Sequence, residues 1–326
     1  MELLVLGGTR FVGRAVVAEA LDRGWRVTAL HRGLTPGLPV GATELLADRT
    51  DEAALAAGLG DGRWDAVVDT WAGAPRVATA AARVLADRVG HYGYVSSGSV
   101  YVWGEHVDET SPLVAADPQA GQTDYASDKR GAELGVLASF PDALLARAGL
   151  ILGPHEDIGR LPWWLNRIAA GGRVVAPGRP DRPLQYVDVR DLARWLLDGL
   201  AAGRSGPVDV VSRSGHATTR SLLQACVDVT GSDAELVWVS EADLAEAGVQ
   251  PWTQLPCWVP ESGEFAGFLE ADTSRAAATG LVCRAVLETA ADTWAWLQRA
   301  GLPAQRPDRD VHGLPAALEP RLLDGR

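Results

Sequence analysis

Leu3-Leu4-Val5-Leu6-Gly7-Gly8-Thr9-Arg10-Phe11-Val12-Gly13-Arg14 reads as a buried strand, a glycine turn and the start of a helix. Four apolar residues in a row suit a parallel strand covered on both faces. Gly7 and Gly8 allow a turn that a side chain would obstruct. Residues 15–21 continue with helical character, and Asp22-Arg23-Gly24 close it. Gly13 lets this helix lie close to the strand. Its free N–H groups and positive dipole end then face the turn, which makes a site for a pyrophosphate. Arg10 stands where a three-glycine fingerprint has its middle glycine. By itself the stretch is also compatible with any tight strand-to-helix turn, so the remaining residues decide.

Composition narrows the classes. At 326 residues the chain has room for a large core, as one big domain or two. Hydrophobic residues make up 47% and charged residues 22%, which is ordinary for a globular protein. A net charge of −12 with no run of Lys or Arg argues against a nucleic-acid surface. Cys226, Cys257 and Cys283 are widely spaced and odd in number, as in a reducing cytoplasm. No apolar run has the length of a membrane span, and no basic region precedes the first strand as in a signal peptide. The six histidines show no metal-ligand spacing, so no metal is expected. Of 30 basic residues only one is lysine, Lys129. A chain that otherwise uses arginine keeps an ammonium there for a reason.

Strand patterns recur at residues 25–30, 43–47, 64–69 and 91–96, with helical stretches between them. Such alternation predicts an α/β fold, a doubly wound parallel sheet with crossover helices and ligands at the strand C-terminal ends. The second strand ends in His31-Arg32-Gly33, without the acid that would hold the ribose 2′-hydroxyl of NAD. A base at that turn accommodates the 2′-phosphate, so Arg32, with Arg10 nearby, favours NADP(H) over NAD(H). Asp48-Arg49 follows the third strand, where an acid can meet adenine or cap the next helix. Thr70-Trp71 follows the fourth.

The fifth strand ends in Ser96-Ser97-Gly98-Ser99-Val100-Tyr101, and a helix begins at Tyr125-Ala126-Ser127-Asp128-Lys129. Tyr125 and Lys129, four apart, share one helix face. An ammonium beside a tyrosine favours the phenolate, which suits acid–base work near neutral pH. Ser97 can hydrogen-bond the same substrate oxygen. Together these groups can move a proton while a nicotinamide moves a hydride.

With these motifs in place the chain resembles the extended short-chain dehydrogenase/reductases, the NAD(P)-dependent epimerase/dehydratase family. Residues 147–154 and Gln185-Tyr186-Val187-Asp188-Val189-Arg190-Asp191-Leu192 add to the resemblance, which runs from about residue 3 to about residue 297. It implies a Rossmann-like doubly wound sheet with a smaller C-terminal substrate-binding lobe. Residues 1–153 and about 184–212 would form the cofactor domain, about 154–183 and 213–302 the lobe, and 303–326 a tail that wraps the surface or moves. Tyr125 would be the acid/base, Ser97 its helper, and Lys129 a ligand of the nicotinamide ribose. Gly7, Thr9, Arg10, Phe11, Val12, Gly13, Arg32, Asp48, Arg49, Thr70 and Trp71 would join Tyr125 and Lys129 around the cofactor. The departures are specific. The asparagine that many members use on a sugar-nucleotide phosphate falls near Leu150. The Asp–Glu pair of sugar 4,6-dehydratases falls on Gly98-Ser99. Both departures argue against dehydration of a nucleotide sugar.

The substrate side should be built from Trp71, Ser97, Trp103, His106, Tyr186, Trp252 and Trp258, with Glu105 and His155 as further candidates. The expected activity is hydride transfer between NADP(H) and a small-molecule carbonyl or alcohol. An epimerase with retained cofactor and a non-catalytic NADP-binding protein are the alternatives. A homodimer is expected by analogy with the family.

Overall fold

The computed structural model describes residues 1–104, 107–265, 267–304, 306 and 310–324. Its first half alternates strand and helix. The order is β1 (Glu2–Leu6), α1 (Phe11–Asp22), β2 (Arg26–His31), β3 (Thr43–Leu46), α2 (Glu52–Leu59), β4 (Trp64–Asp69), α3 (Pro75–Leu85), β5 (Val89–Ser97), α4 (Tyr125–Ser139) and β6 (Leu144–Ala148). Next come β7 (Leu150–Leu152), α5 (Arg160–Ala169), β8 (Arg173–Pro177), β9 (Pro183–Leu184), β10 (Tyr186–Asp188), α6 (Val189–Ala201) and β11 (Gly206–Val210). The chain finishes with β12 (Ala217–Thr218), α7 (Thr219–Thr230), β13 (Glu235–Val239), α8 (Glu241–Glu246), α9 (Ser274–Ala278), α10 (Val286–Ala300) and α11 (Leu318–Leu323).

Seven strands form the main sheet in the order β11-β6-β5-β4-β1-β2-β3, all parallel. Strand alternation sends Leu3 and Val5 to one face and Leu4 and Leu6 to the other. The first pair packs with Val16, Val17, Leu192 and Leu196 of α1 and α6. The second packs with Leu55, Ala78, Ala82 and Val136 of α2, α3 and α4. Covering on both faces is what an unbroken apolar run requires, so the Rossmann-like doubly wound sheet expected from the sequence is present. Among the described residues no helix is long and apolar enough to cross a membrane.

The apolar stretch 143–152 forms two strands, β6 and β7. Gly149 interrupts it where a side chain would run into Val211, at 2.7 Å. Beyond it the chain leaves the main sheet, and β7 pairs with β10 instead. That pair, with β8–β13 and β9–β12, belongs to the second lobe. Trp164, Tyr186, Leu222 and Trp258 lie in its core. Helix α11 is fastened to this lobe. Arg167 donates from Nε to both carboxylate oxygens of Glu319, at 2.8 and 3.0 Å, and Leu322 is buried.

Candidate active site

The cradle at the C-terminal end of β1 is set by two glycines. Gly7 has φ +99°, a conformation that suits glycine. Gly13 lies so close to the turn that a Cβ there would sit 1.7 Å from the Gly7 carbonyl oxygen. The N-terminus of α1 has no side-chain cap and no acid in its first turn. Its N–H groups and dipole are therefore left for an anion, and the cradle fits a dinucleotide pyrophosphate. Phe11, at φ +23°, is buried at the first helical position. Thr9 and Val12 are half-buried beside it. Thr70 closes the cradle from β4, its hydroxyl donating to the Leu6 carbonyl at 3.0 Å.

Arg10 does not lie unengaged. Its Nε donates to Thr35 Oγ1 at 3.1 Å, and its guanidinium lies 3.5 Å from Asp157 of the second lobe. Arg32 is exposed at the end of β2. His31 accepts from the Gly33 N–H at 3.1 Å through Nδ1 and lies 3.0 Å from Glu44 of β3. Asp48 accepts from both the N–H and hydroxyl of Thr50, which hold its carboxyl below the usual range, with Arg32 adding a smaller push. Arg49, expected at the cofactor, is instead buried. It makes a bidentate pair with Asp69 at 2.6 and 2.7 Å. Asp69 also accepts from Tyr92 and from the Trp71 N–H. A guanidinium paired this way fixes the ends of β3 and β4.

Lys129 carries the centre of the site. It is buried, and its Nζ donates to the carbonyls of Trp71, at 2.6 Å, and Val95, at 2.7 Å. It lies 4.8 Å from the ring centre of Tyr94. Tyr94 donates to the same Trp71 carbonyl at 2.9 Å. The turn after β4 is thus tied to both β5 and α4. Tyr125 opens α4 one turn earlier on the same face and is exposed, at 41%. Asp124 caps the helix on the Ser127 N–H at 3.0 Å. Ser97, two residues beyond Val95, ends β5 and accepts from the Ser99 N–H at 3.1 Å.

Under this surface runs a buried network that sequence reading missed. Glu133 pairs with Arg147 through two bonds of 2.9 Å and accepts from Ser96 at 2.7 Å. Arg147 continues to Tyr101, and Tyr101 donates to Asp209 at 2.7 Å. Glu133 is four residues after Lys129, on the face that carries the lysine, which was the signal available. The network holds α4 against β5 and β6. Gly135 permits the close approach of α3, since a Cβ there would meet Thr79 Oγ1 at 1.9 Å.

Of the residues expected to line a substrate pocket, Trp71 and Trp103 are half-buried near the sheet's C-terminal edge. A Cβ on Gly98 would contact Trp103 at 3.8 Å. Trp252 is half-buried in the second lobe. Tyr186 and Trp258 do not line a pocket; both are core residues, and the Tyr186 hydroxyl donates to the Arg284 carbonyl at 2.8 Å. Their apolar bulk gave no means to tell pocket from core. Glu105 and His106 lie outside the described residues. His155 sits after β7 at φ +67°, with Arg14 donating to its Nε2 at 3.4 Å. Burial, with Arg14 and Arg299 nearby, pushes its pKa down to about 4.

Glu156 beside it is fully buried and caps α5, accepting from the Arg160 and Leu161 N–H groups at 2.8 and 3.2 Å. Burial outweighs these bonds and pushes its carboxyl up to about 7 from an ordinary 4.5. The folded chain therefore keeps a proton that the unfolded chain releases. Its contribution to stability is full below the ordinary value and is lost as pH rises through about 7. Asp209, also pushed up to about 7 by burial, acts in the same direction. The expected result is a melting temperature that falls between pH 5 and pH 8, with Glu156→Gln removing part of that fall. Thermal melts of both proteins across that range test it; equal slopes would refute the assignment.

A short-chain dehydrogenase/reductase arrangement of cradle, serine, tyrosine and lysine on a Rossmann-like sheet is what this chain builds. It belongs to the NAD dependent epimerase/dehydratase family, whose sequence profile matches residues 3–211. A dTDP-glucose 4,6-dehydratase of Actinoplanes sp. is 26% identical over 158 residues, 47% of this chain and 48% of the relative. The match thus spans about half the length of that protein. The Bordetella bronchiseptica enzyme WbmH in complex with NAD+ has a TM-score of 0.70 at 18% identity, covering 92% of this chain and 99% of that one. The UDP-glucose 4-epimerase of Thermus thermophilus, complexed with NAD, has a TM-score of 0.66 at 19% identity, covering 92% and 100%. At such identities the two structures speak for the fold.

Proposed function

We propose that this protein is a nicotinamide-dependent oxidoreductase, with NADP(H) preferred, acting on the carbonyl or alcohol of a small molecule. The observation that carries the reading is the buried Lys129 ammonium, held by the Trp71 and Val95 carbonyls one helical turn from Tyr125. When bound, the nicotinamide supplies the hydride with its electron pair, or accepts it in the reverse direction. Tyr125 gives its phenolic proton to the substrate oxygen as the carbonyl becomes an alcohol, and takes it back in oxidation. Ser97 donates a hydrogen bond to that oxygen. Lys129 orients the sugar beside the nicotinamide. Gly7 to Gly13 would hold the pyrophosphate, and Arg32 the 2′-phosphate. Epimerisation, with a cofactor oxidised and re-reduced in place, is the second reading; membership of an epimerase/dehydratase family favours it.

Thermal shift with NADPH, NADP+, NADH and NAD+ tests the reading, since a ligand of the folded state raises its stability. The expected result is a shift with the phosphorylated pair and little with the other. Arg32→Ser should lower NADP(H) affinity about ten- to a hundredfold, the value of one or two charge-assisted bonds. A shift with NAD(H) alone would refute the preference. Nucleotide already present in the purified protein would favour the epimerase.

A further inference from the structure

Arg10 stands at the phosphate cradle and is engaged from two sides. It is the residue before α1, three positions after Gly7. Its Nε donates to Thr35 Oγ1 at 3.1 Å, and Thr35 lies in the connection that follows β2. Its Nη1 lies 3.5 Å from Oδ2 of Asp157, in the connection between β7 and α5. In the main sheet β2 is on one side of β1, and β6, which leads into β7, is on the other. The row Thr35–Arg10–Asp157 therefore crosses the C-terminal end of β1, where the cradle is.

The second-lobe end of this row is anchored, and the Arg10 end is the one that can move. Glu156, next to Asp157, is fully buried and bonded to the Arg160 and Leu161 N–H groups. His155 accepts from Arg14, one turn along α1 from Arg10, at 3.4 Å, and packs on Trp296 at 5.1 Å. Asp157 Oδ2 also accepts from Arg306 at 3.3 Å. The Asp157 side chain is 19% exposed, against 46% for Arg10. An exposed arginine changes rotamer quickly, whereas a carboxylate carried between buried anchors stays in place.

We propose that Asp157 is a positioning residue for the cofactor: it holds the Arg10 guanidinium across the cradle, and Arg10 must leave it before a bound dinucleotide can depart. The inference rests on the nicotinamide-cofactor reading above and adds how the site keeps its cofactor. A guanidinium presents a fork of several N–H donors. The bond to Thr35 and the pair with Asp157 leave some of them for phosphate oxygens. A carboxylate alone would repel those phosphates. Paired with Arg10, it acts on them through the cation it holds in place.

The test is stopped-flow release of NADPH from the full chain, followed by nucleotide fluorescence after mixing with excess NADP+. NADH and NAD+ take their place if the thermal shift selects that pair. Asp157→Asn should speed release about fivefold, as loss of a partly exposed ion pair does at the upper end of its range. Arg10→Gln should speed it at least as much, and adding Asp157→Asn to that variant should speed it no further. Asp157→Glu keeps the charge and should stay within about twofold of the parent. Arg306→Gln removes the other partner of the same oxygen and should leave release unchanged or slower. A melt of each variant checks folding. Release that is unchanged in Asp157→Asn overturns the proposal. Slower release overturns it too, because the carboxylate would then only repel the cofactor. Further acceleration by Asp157→Asn in the Arg10→Gln chain, or acceleration by Arg306→Gln, also overturns it, since Asp157 would then act through lobe packing rather than through Arg10. A parent chain that binds neither NADPH nor NADH removes the cofactor reading, and this inference with it.

Discussion

Tyr125→Phe should turn over substrate about a thousandfold more slowly than the parent chain while binding NADP(H) within a few-fold of its affinity. General acid–base catalysis by a positioned group is worth about 10²–10⁴ in rate. Here the phenol is the group placed to deliver the proton. It opens α4 and is exposed, and the helix beneath it is immobilised. Lys129 is bonded to two carbonyls, and Glu133 is bonded to Arg147 and Ser96. Phenylalanine keeps the ring and its packing, so the fold should not change. The measurement is kcat and KM on the substrate found by screening, beside a cofactor titration. A loss seen mainly in kcat identifies an interaction made in the transition state. An unchanged kcat would leave a cofactor-binding protein in which the tyrosine has no chemical role.

Gly13→Ala should have the second large effect, on binding and stability together. The added methyl would sit 1.7 Å from the Gly7 carbonyl oxygen and 2.8 Å from its carbon. Both are backbone atoms, so neither can swing aside. The clash is relieved only by pushing α1 away from β1. That opens the contact of Val16 and Val17 with Leu3 and Val5 and moves the helix N–H groups off the anion. Overpacking of this severity should cost about 3 kcal/mol or more. For a chain of this size that lowers the melting temperature by roughly 5–10 °C. The stabilisation by NADP(H) should vanish as well. Gly104→Ala is the control, because a methyl there meets none of the described residues within 4 Å. Full retention of cofactor binding in Gly13→Ala would mean that the cradle does not hold the pyrophosphate.

How the site divides between sequence and structure follows from the range of the interactions involved. The cradle was legible because one local stretch, Leu3 to Arg14, contains strand, turn and helix start with the spacing fixed by covalent geometry. Tyr125 and Lys129 were legible because a helix puts residues four apart on one face, and because Lys129 is the chain's sole lysine. The parallel sheet followed from strands alternating with helices. Each of these is a short-range pattern.

What the tertiary structure alone decided were pairings between distant residues. Arg49 reads as a surface base after a strand. It is a buried partner of Asp69, 20 residues away. Tyr186 and Trp258 carry the same apolar signal whether they face a cleft or a core, and packing put them in the core. The break at Gly149, which sends β7 into the second lobe, depends on Val211 across the sheet. Trp103 meets Phe268, 165 positions away, and Arg160 meets Trp252, 92 positions away, contacts that no periodicity connects. Backbone covalency and helical pitch write the first set of features into the sequence. The second set exists only once long-range burial has chosen which polar groups meet and which aromatic faces are left open.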